Sequence, residues 1–431
     1  MPAVQVLIGG ALHVCTSLEL QQCLPDTDFD VSEPGSEVVA LNATRVAGSM
    51  HILKSLRDAT LSEQRPAPRL TLVTASSANS HAAVDFYLQL FTQLGFDVHW
   101  LPVDALLAEI LDRGMLCDDL QALRAERLGS AAAAAHPDLL LQQTAFCRDP
   151  QSALDLLQSA AAVFFNGGDQ SLTLQALLRR DGSDRPWQAL IRARHAEGSL
   201  IIAGTSAGTA VHSSGEMLMG GDSAAALQHG SLPGDAFLPS AEDVNIPGVL
   251  YAAQGSGLFP SGILDSHFSE RGRWLRLLTL LRESRASMAF GVDETTALVS
   301  EPMADGGRRL RVVGKSGVAI LQRAQDGYRM HYLGDGHEVI LRDGTLDFAD
   351  GLAVAAELPE AHLQLDTGAL ESTAIRDWLQ AIFAQTTIPA LAHWWLGEQL
   401  VLTLDFAAAR RLPATSAGSL QGFHNLHLQW P

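Results

Sequence analysis

The chain has 431 residues, of which 47% are hydrophobic and 18% are charged, and its 29 Lys plus Arg against 48 Asp plus Glu give a formal net charge of −19. This composition predicts a globular protein of roughly two to three domains' length and excludes an intrinsically disordered chain. Lys54 and Lys315 are the two lysines, and no basic run could neutralise a row of phosphates, so we expect neither nucleic acid nor an anionic membrane surface as partner. Small molecules, peptides or cationic groups are the expected partners.

The sequence also contains signals that indicate the cellular compartment of the protein. No basic segment precedes an apolar stretch at its start, and no run of about 18 apolar residues occurs. We therefore expect a soluble, cytoplasmic protein with no membrane span. The cysteines lack CxxC spacing and the density of a disulfide-rich fold, and we expect free thiols in a reducing compartment. They are Cys15, Cys23, Cys117 and Cys147.

Short apolar runs alternate with longer segments of helical spacing in the first half of the chain. The runs predicted to be strands are Val4–Ile8, Leu70–Thr74, Val98–Leu101, Ala162–Phe165 and Ser199–Ala203. Amphipathic helices that pack on the sheet are predicted at Ala83–Leu94 and, later, at Arg273–Leu281. This alternation predicts an α/β fold with a mostly parallel sheet and functional groups at the carboxyl ends of its strands.

Three features interrupt this alternation. Gly9-Gly10 follows the first predicted strand and favours a tight turn, because the full spacing of a dinucleotide-binding loop is missing. Residues 102–150 and residues 214–262 have the character of insertions. The second insertion directly follows the most informative motif, so we expect it to form a lid or wall of a site.

That motif is Gly204-Thr205-Ser206-Ala207-Gly208, a Gly-x-Ser-x-Gly sequence after a buried apolar run. It is typical of a nucleophile elbow, in which a strained turn exposes the serine hydroxyl and the N–H of Ala207 points at a developing oxyanion. The alternative is a small-residue turn in which Ser206 caps a helix.

A nucleophilic serine needs a base and an orienting acid. His267 is the predicted base, because it follows the apolar Gly262-Ile263-Leu264 at a strand end, whereas His212 is expected to be structural because the elbow helix carries it away from the hydroxyl. Asp293 and Glu294 are the candidate acids, and spacing alone leaves the choice open. The order Ser, His, acid differs from that of ordinary α/β-hydrolases and indicates another fold.

After about residue 303 the pattern becomes rich in short β segments separated by turn signals. Hairpins are predicted at Asp326-Gly327, Gly334-Asp335-Gly336 and Asp343-Gly344. One amphipathic helix is predicted at about Thr373–Phe383. We therefore expect a catalytic domain at 1–302 and a smaller, accessory α+β domain at 303–431.

Taken together, four segments resemble the successive signatures of the cyanophycinases, in peptidase family S51. They are Phe165-Asn166-Gly167-Gly168-Asp169-Gln170, Gly204-Thr205-Ser206-Ala207-Gly208, Asp265-Ser266-His267-Phe268 with Arg271, Arg273 and Arg276, and Gly291-Val292-Asp293-Glu294-Thr295-Thr296-Ala297-Leu298. The resemblance covers roughly residues 1–300. It implies a doubly wound sheet like that of class I glutamine amidotransferases.

The resemblance also implies roles for individual residues. Ser206 would be the nucleophile, His267 the general base and Glu294, rather than Asp293, the orienting acid. The turn at Gly168 would supply a second oxyanion N–H beside Ala207. Positions that line the family's substrate pocket are matched by Gln170, Asp265, Arg271, Arg273 and Arg276. Ser266 stands where the family usually has glutamine, which changes one pocket contact.

The implied activity is serine-type hydrolysis of cyanophycin, a poly-aspartate with arginine joined to each side-chain carboxyl, to β-aspartyl-arginine dipeptides. No cofactor and no metal site are expected, and a homodimer is possible. Two alternatives stay open: a dipeptidase for short aspartyl peptides, and a non-catalytic peptide-binding homologue.

Overall fold

The computed structural model describes residues 3–12, 48–49, 51–60, 67–237, 248–348, 351–353, 355–415 and 420–430. The strands are β1 (Gln5–Ile8), β2 (Arg69–Val73), β3 (Asp97–Trp100), β4 (Ala162–Phe165), β5 (Ile201–Thr205), β6 (Met217–Gly220), β7 (Ser231–Pro233), β8 (Val249–Ala252), β9 (Ile263–Asp265), β10 (Met288–Val292), β11 (Thr296–Pro302), β12 (Arg308–Gly314), β13 (Gly317–Ala324), β14 (Gly327–Gly334), β15 (Glu338–Arg342), β16 (Thr345–Phe348), β17 (Leu352–Ala353), β18 (Ala355–Leu358), β19 (Ala361–Leu365), β20 (Thr387–Pro389), β21 (Leu391–Leu396), β22 (Gln399–Asp405), β23 (Arg410–Leu412) and β24 (Gly422–Gln429).

The helices connect and cover these strands. They are α1 (Val84–Gln93), α2 (Ala105–Arg113), α3 (Leu120–Leu128), α4 (Ser130–Ala134), α5 (Pro137–Arg148), α6 (Gln151–Ser159), α7 (Gln170–Leu177), α8 (Pro186–Ala196), α9 (Ala207–Ala210), α10 (Ser223–His229), α11 (Trp274–Glu283), α12 (Thr367–Leu370) and α13 (Ala374–Phe383). Residues 51–60 are also helical.

The first sheet is built around five parallel strands in the order β1-β5-β4-β2-β3. All five coincide with predicted strands, so the parallel arrangement is confirmed for this part of the chain. Strands β11, β12, β15 and β16 extend the sheet beyond β1 in antiparallel pairs. The fold is therefore a mixed α/β one.

Both faces of the parallel strands are buried. Leu70 and Leu72 face a core that is shared with α1 and with the helical residues 51–60. Val163 and Phe165 face a second core on the other side, which α2, α6 and α8 help to cover. Covering both faces explains why these strands are continuous apolar runs in the sequence rather than alternating ones.

A second sheet has the order β19-β21-β22-β24-β14-β13-β10-β9. It joins segments from both sides of residue 302, because β10 pairs with β13, just as β11 pairs with β12 in the first sheet. Leu7, Phe290 and Ile320 belong to a core shared by the two sheets. Both parts of the chain thus build both sheets, and the division into 1–302 and 303–431 stays a prediction about folding units.

Two of the three predicted hairpins are confirmed. β13 and β14 pair around the turn before Gly327, and β15 and β16 pair around Asp343-Gly344, whose φ angles are 48° and 77°. The hairpin predicted at residues 334–336 is wrong. That turn leads from β14 in the second sheet to β15 in the first, because β15 pairs with β12 and β16. Helix α13 confirms the predicted amphipathic helix.

The expectation of free thiols is wrong for one pair of cysteines. Cys117 and Cys147 form a disulfide, with their Cα atoms 5.7 Å apart, between the 3₁₀ turn Cys117–Asp119 and helix α5. Disulfides are typical of oxidising compartments, so the cysteines no longer support a reducing one. Cys15 and Cys23 lie outside the described residues.

The described residues contain neither a helix suited to crossing a membrane nor a cluster of metal ligands. None of the helices in these ranges combines the length and the apolar character that a membrane span requires. Within the same ranges, no group of three or more His, Cys, Asp or Glu side chains is arranged to hold a metal ion.

Candidate active site

The serine of the Gly-x-Ser-x-Gly sequence lies on the turn between β5 and α9. Its backbone angles are φ 55° and ψ −117°, in a region that costs a non-glycine residue about 1–3 kcal/mol. Close packing requires both glycines: a Cβ at Gly204 would lie 2.0 Å from the Gly208 carbonyl oxygen, and one at Gly208 would lie 2.2 Å from that of Phe165. The turn has the local geometry of a nucleophile elbow.

Two hydrogen bonds link Ser206, His267 and Glu294. Ser206 Oγ lies 2.7 Å from His267 Nε2, and His267 Nδ1 lies 2.7 Å from Glu294 Oε1. The three residues follow β5, β9 and β10, so the carboxyl ends of strands from both sheets meet here. A hydroxyl, an imidazole and a carboxylate in this order form the arrangement in which a base activates a nucleophile and an acid orients the base.

The neighbouring acid, Asp293, faces the opposite way. It is fully buried, and its Oδ1 accepts the N–H of Ser269 at 2.9 Å. Its Oδ2 accepts the hydroxyls of Ser316 at 2.7 Å and Tyr332 at 2.8 Å. The structure therefore places Glu294 against His267 and Asp293 in the interior.

The end of β1 connects the loops that carry the three residues. The N–H of Ser206 donates to the last residue of β1 at 2.9 Å, that of His267 to Gly9 O at 2.7 Å, and that of Thr295 to Gly10 O at 2.9 Å. Gly10 has φ 109°, and a Cβ there would lie 2.4 Å from His267 Cε1. From the sequence, Gly9-Gly10 is predicted only to form a tight turn. Its hydrogen bonds to His267 and Thr295 could not be predicted, because these partners lie more than 250 residues further along the chain.

The turn after β4 borders the serine. A Cβ at Gly167 would lie 3.2 Å from Ser206 Cβ, and one at Gly168, whose φ is 141°, would lie 2.1 Å from the Ser76 carbonyl oxygen. Ala207 begins helix α9, and the first N–H groups of a helix have no intrahelical acceptor. Ala207 directly follows Ser206, and Gly168 directly follows the glycine that lies against the Ser206 side chain.

Three predicted pocket residues are engaged inside the protein. Asp265 is 1% exposed; its two oxygens accept Nε and Nη2 of Arg276 at 2.8 and 2.7 Å, and Arg276 Nη1 donates to Gly221 O at 2.6 Å. Arg273 Nη1 lies 3.2 Å from Asp265 Oδ1 and donates to the carbonyl of the buried Ser266 at 2.7 Å. These contacts hold the segment after β9 to residues 214–262.

The other two predicted pocket residues lie at the edges of the site. Arg271 is exposed, its N–H donates to His267 O at 3.1 Å, and its charge acts on the imidazole. Gln170 begins α7, and its Nε2 donates to the Leu218 carbonyl of β6 at 2.7 Å. This contact joins Gln170 to the segment 214–262, whose role as a lid or wall stays a prediction.

Tyr87 is a further residue beside the strand that leads to the Gly167 turn, and no motif marks it. Its ring packs on Phe164 of β4, with centroids 5.4 Å apart. Burial raises the pKa of Tyr87 to about 12, although the Gly167 backbone lowers the pKa of its hydroxyl, so the hydroxyl keeps its proton at neutral pH. In the sequence, Tyr87 belongs to the apolar face of a helix and is indistinguishable from a core residue.

Comparison with curated proteins finds cyanophycinases that are similar to part of this chain. The chain is 32% identical over 182 residues to a cyanophycinase from Geminocystis herdmanii. The aligned segment covers 42% of this chain and 55% of the relative. It is 36% identical over 165 residues to one from Nostoc sp., covering 38% and 46%, and 29% identical over 218 residues to one from Synechococcus elongatus, covering 46% and 58%. Part of the chain is therefore similar in sequence to the cyanophycinases.

The similarity to the cyanophycinases covers less than half of this chain. The chain spans about half the length of these curated relatives, and no protein-family model matches it. A crystal structure of a peptidase from an acI-B1 Actinobacterium covers 78% of this chain and 96% of its own, at 17% identity and a TM-score of 0.43. A similarity of that size supports no inference about fold or activity.

The electrostatics of the site favour a neutral histidine. Burial lowers the pKa of His267 below its ordinary value of 6.5, the hydrogen bond with Glu294 raises it, and the charges of Arg271 and Arg273 lower it again, with a net lowering. A base must be unprotonated to accept a proton, and the lowered pKa of His267 favours that form.

A pH profile checks this expectation. The acid limb of kcat/KM, which reports ionisations of the free enzyme, should have its midpoint below pH 6.5, because protonation of His267 is disfavoured. Arg271→Ala should move that midpoint upward, since it removes a cation that lowers the His267 pKa. A wild-type midpoint above 6.5, or a downward shift in the variant, would contradict this account of the site.

Proposed function

We propose that this chain is a cyanophycinase-like serine peptidase that hydrolyses cyanophycin, with a fold like that of class I glutamine amidotransferases. The observation that carries the proposal is the hydrogen-bonded sequence Ser206–His267–Glu294, with both links at 2.7 Å. Its position at the carboxyl ends of strands and the similarity to curated cyanophycinases support the same reading.

In the proposed reaction, Ser206 Oγ attacks the scissile carbonyl carbon while its proton passes to His267 Nε2. Glu294 accepts a hydrogen bond from Nδ1–H and stabilises the imidazolium that forms. The protonated Nε2 then gives its proton to the leaving nitrogen, and the C–N bond breaks. Water then attacks the acyl carbon while its proton passes to His267 Nε2. The C–O bond to Ser206 breaks, Nε2 returns the proton to Oγ, and the carboxylic acid product leaves.

The negative charge that develops on the carbonyl oxygen needs donors. We assign this role to the N–H groups of Ala207, at the start of α9, and of Gly168, in the turn after β4. The partial positive charge at the N-terminus of α9, a helix of four residues, also favours this negative charge. The positive φ of Gly168 explains why the turn requires glycine at that position.

Substrate recognition follows from the exposure of the arginines. Each cyanophycin repeat carries a free carboxylate on its arginine branch and a guanidinium. Arg276 is buried and bound to Asp265, and Arg273 is mostly buried, so neither is presented to a large substrate as Arg271 is. We assign Arg271 as the clamp for the branch carboxylate, and Asp265 with Arg276 as the support behind it.

Incubation with two substrates tests the proposed function. Purified protein is mixed with insoluble cyanophycin and, separately, with unbranched aspartyl peptides, and the products are analysed by mass spectrometry. The proposal requires β-aspartyl-arginine from the polymer. Cleavage of the short peptides alone would identify a dipeptidase instead, and binding of polymer without products would indicate a non-catalytic homologue.

Variants of Arg271 test the assigned clamp. Arg271→Ala should reduce kcat/KM on cyanophycin about tenfold to a hundredfold, because a charge-assisted hydrogen bond is worth about 1.5–3 kcal/mol. Arg271→Lys should recover part of the loss, since it keeps the charge without the planar fork. Kinetics on unbranched peptide should change little, and Arg282→Ala, which removes an ion pair with Glu283 at the far end of α11, should be neutral on both. Equal losses on both substrates would contradict the clamp.

A further inference from the structure

An arginine from the C-terminal part of the chain reaches the acid loop of the site. Arg376 lies in the first turn of α13, and its Nη1 is 2.9 Å from Glu270 Oε1, 3.4 Å from Asp293 Oδ2 and 2.9 Å from Ser316 Oγ. Its side chain is 15% exposed. One guanidinium nitrogen therefore bridges Glu270, which is in the loop after His267, and Asp293, which directly precedes Glu294.

The two acids bind the backbone around the proposed triad. Glu270 Oε2 accepts the N–H of Glu294 at 3.0 Å, and Asp293 Oδ1 accepts the N–H of Ser269 at 2.9 Å. Glu270 thus fixes the peptide from which the Glu294 side chain extends toward His267. A shift of this peptide would move the carboxylate that orients the imidazole.

The electrostatics make the bridge necessary for this geometry. Burial and the charge of Asp293 raise the pKa of Glu270 to about 7, and Arg376 counteracts them. Without the guanidinium, Glu270 and Asp293 would be two enclosed carboxylates with no cation between them, which is costly. Glu270 would then turn toward water to regain solvation, and its Oε2 would release the Glu294 N–H.

The helix does not depend on Arg376 for its own packing. Ile375, Leu379 and Phe383 are each at most 1% exposed and anchor α13 in the core. The segment ahead of α13 also lies on the loop after His267, because a Cβ at Gly272 would be 2.2 Å from the Leu370 carbonyl oxygen. The C-terminal part is therefore seated on the site independently of the arginine.

We propose that Arg376 is a positioning residue for the peptidase reaction, which holds Glu294 in place by bridging Glu270, Asp293 and Ser316. The inference rests on the proposed function, because it assigns a role within that triad. It gives the C-terminal part of the chain, through Arg376, an indirect part in the chemistry by way of Glu294.

The decisive variant is Arg376→Met, which keeps an unbranched apolar side chain and removes the charge. We expect kcat to fall about tenfold to a hundredfold, since small displacements of oriented groups cost this much, while KM changes less than about twofold. The rate at which a fluorophosphonate labels Ser206, followed by intact mass, should fall in parallel. This second readout needs no peptide substrate.

Three further variants separate positioning from general stability. Arg376→Lys should recover part of the rate. Adding Glu270→Gln to Arg376→Met should also recover part, because the amide oxygen still accepts the Glu294 N–H while the unpaired charge is gone. Arg342→Met is the matched control: this arginine of the same part of the chain is 40% exposed and pairs with Asp305 at 2.8 Å, and its loss should leave both readouts unchanged.

The outcomes distinguish this inference from the proposed function. Folded Arg376→Met that labels and turns over at the wild-type rate overturns the inference, and if this variant does not fold, Arg376→Gln is judged by the same criterion. A wild-type protein that labels at Ser206 but leaves cyanophycin intact overturns the substrate, and slower labelling in Arg376→Met would then still support the positioning role. Wild-type protein that does not label at Ser206 overturns the serine mechanism and the inference together.

Discussion

Ser206→Ala is expected to lower kcat on cyanophycin by about 10⁴- to 10⁶-fold, the range typical for loss of a serine nucleophile. The change removes one oxygen, so His267 loses its 2.7 Å partner and no acyl-enzyme can form. The midpoint of thermal unfolding should move little, because the side chain is at a partly exposed turn and alanine meets the same positive φ as serine. Turnover is measured by release of β-aspartyl-arginine, and stability by calorimetry.

Two controls accompany this measurement. Ser214→Ala removes a partly buried hydroxyl from the same stretch of chain, at 3.5 Å from the Gly262 carbonyl oxygen, and should leave turnover unchanged. A chelator should not affect the wild-type enzyme, since no step of the proposed reaction uses a metal. Substantial turnover by Ser206→Ala, or chelator inhibition that zinc reverses, would be incompatible with Ser206 as the nucleophile.

The parallel sheet and the elbow could be predicted because their signals are local. Strands buried on both faces are short continuous apolar runs, and β4 and β5 keep that pattern in the sequence. The elbow needs small residues on both sides of Ser206 for the close approach of strand and helix, and the distances around Gly204 and Gly208 reproduce that need.

The choice between the two adjacent acids could not be made from local signals. Side chains alternate along an extended chain, so Asp293 and Glu294 are predicted to point to opposite sides. This alternation does not indicate on which side the histidine lies. The partners that bind Asp293, Ser316 and Tyr332, are 23 and 39 residues further along the chain. Their position depends on β13 and β14 joining the same sheet as β10.

The contacts of the C-terminal part with the acid loop could not be predicted from the sequence for the same reason. Residues 303–431 contain no motif, so the sequence favours an accessory domain there. The turn at residues 334–336 is typical of a hairpin in composition, yet β14 and β15 belong to different sheets. Turn residues predict that the chain reverses or bends, whereas strand partners are fixed by packing over long sequence distances.

Glu294→Gln is expected to reduce kcat about a hundredfold to ten-thousandfold, the range for loss of effective general base catalysis. The amide fills the same volume, but it has no charge to stabilise the imidazolium across the 2.7 Å hydrogen bond to Nδ1. The side chain is 23% exposed, so the change should cost little stability. The measurement is kcat on cyanophycin beside the midpoint of thermal unfolding.

Asp293→Asn is the matched comparison, because it makes the same chemical change one residue earlier. Asp293 is fully buried and accepts hydrogen bonds from Ser316 and Tyr332 through one oxygen, and Arg376 Nη1 lies 3.4 Å from that oxygen. An amide there turns either its NH₂ group or its weaker oxygen toward these donors, so we expect a loss of about 1–3 kcal/mol in the free energy of unfolding. Its effect on kcat should be smaller than that of Glu294→Gln, since it acts on His267 only through the loop. The reverse ranking, with kcat lost mainly in Asp293→Asn and stability lost mainly in Glu294→Gln, would mean that Asp293 is the orienting acid in solution and that the hydrogen bond between His267 and Glu294 is not the catalytic one.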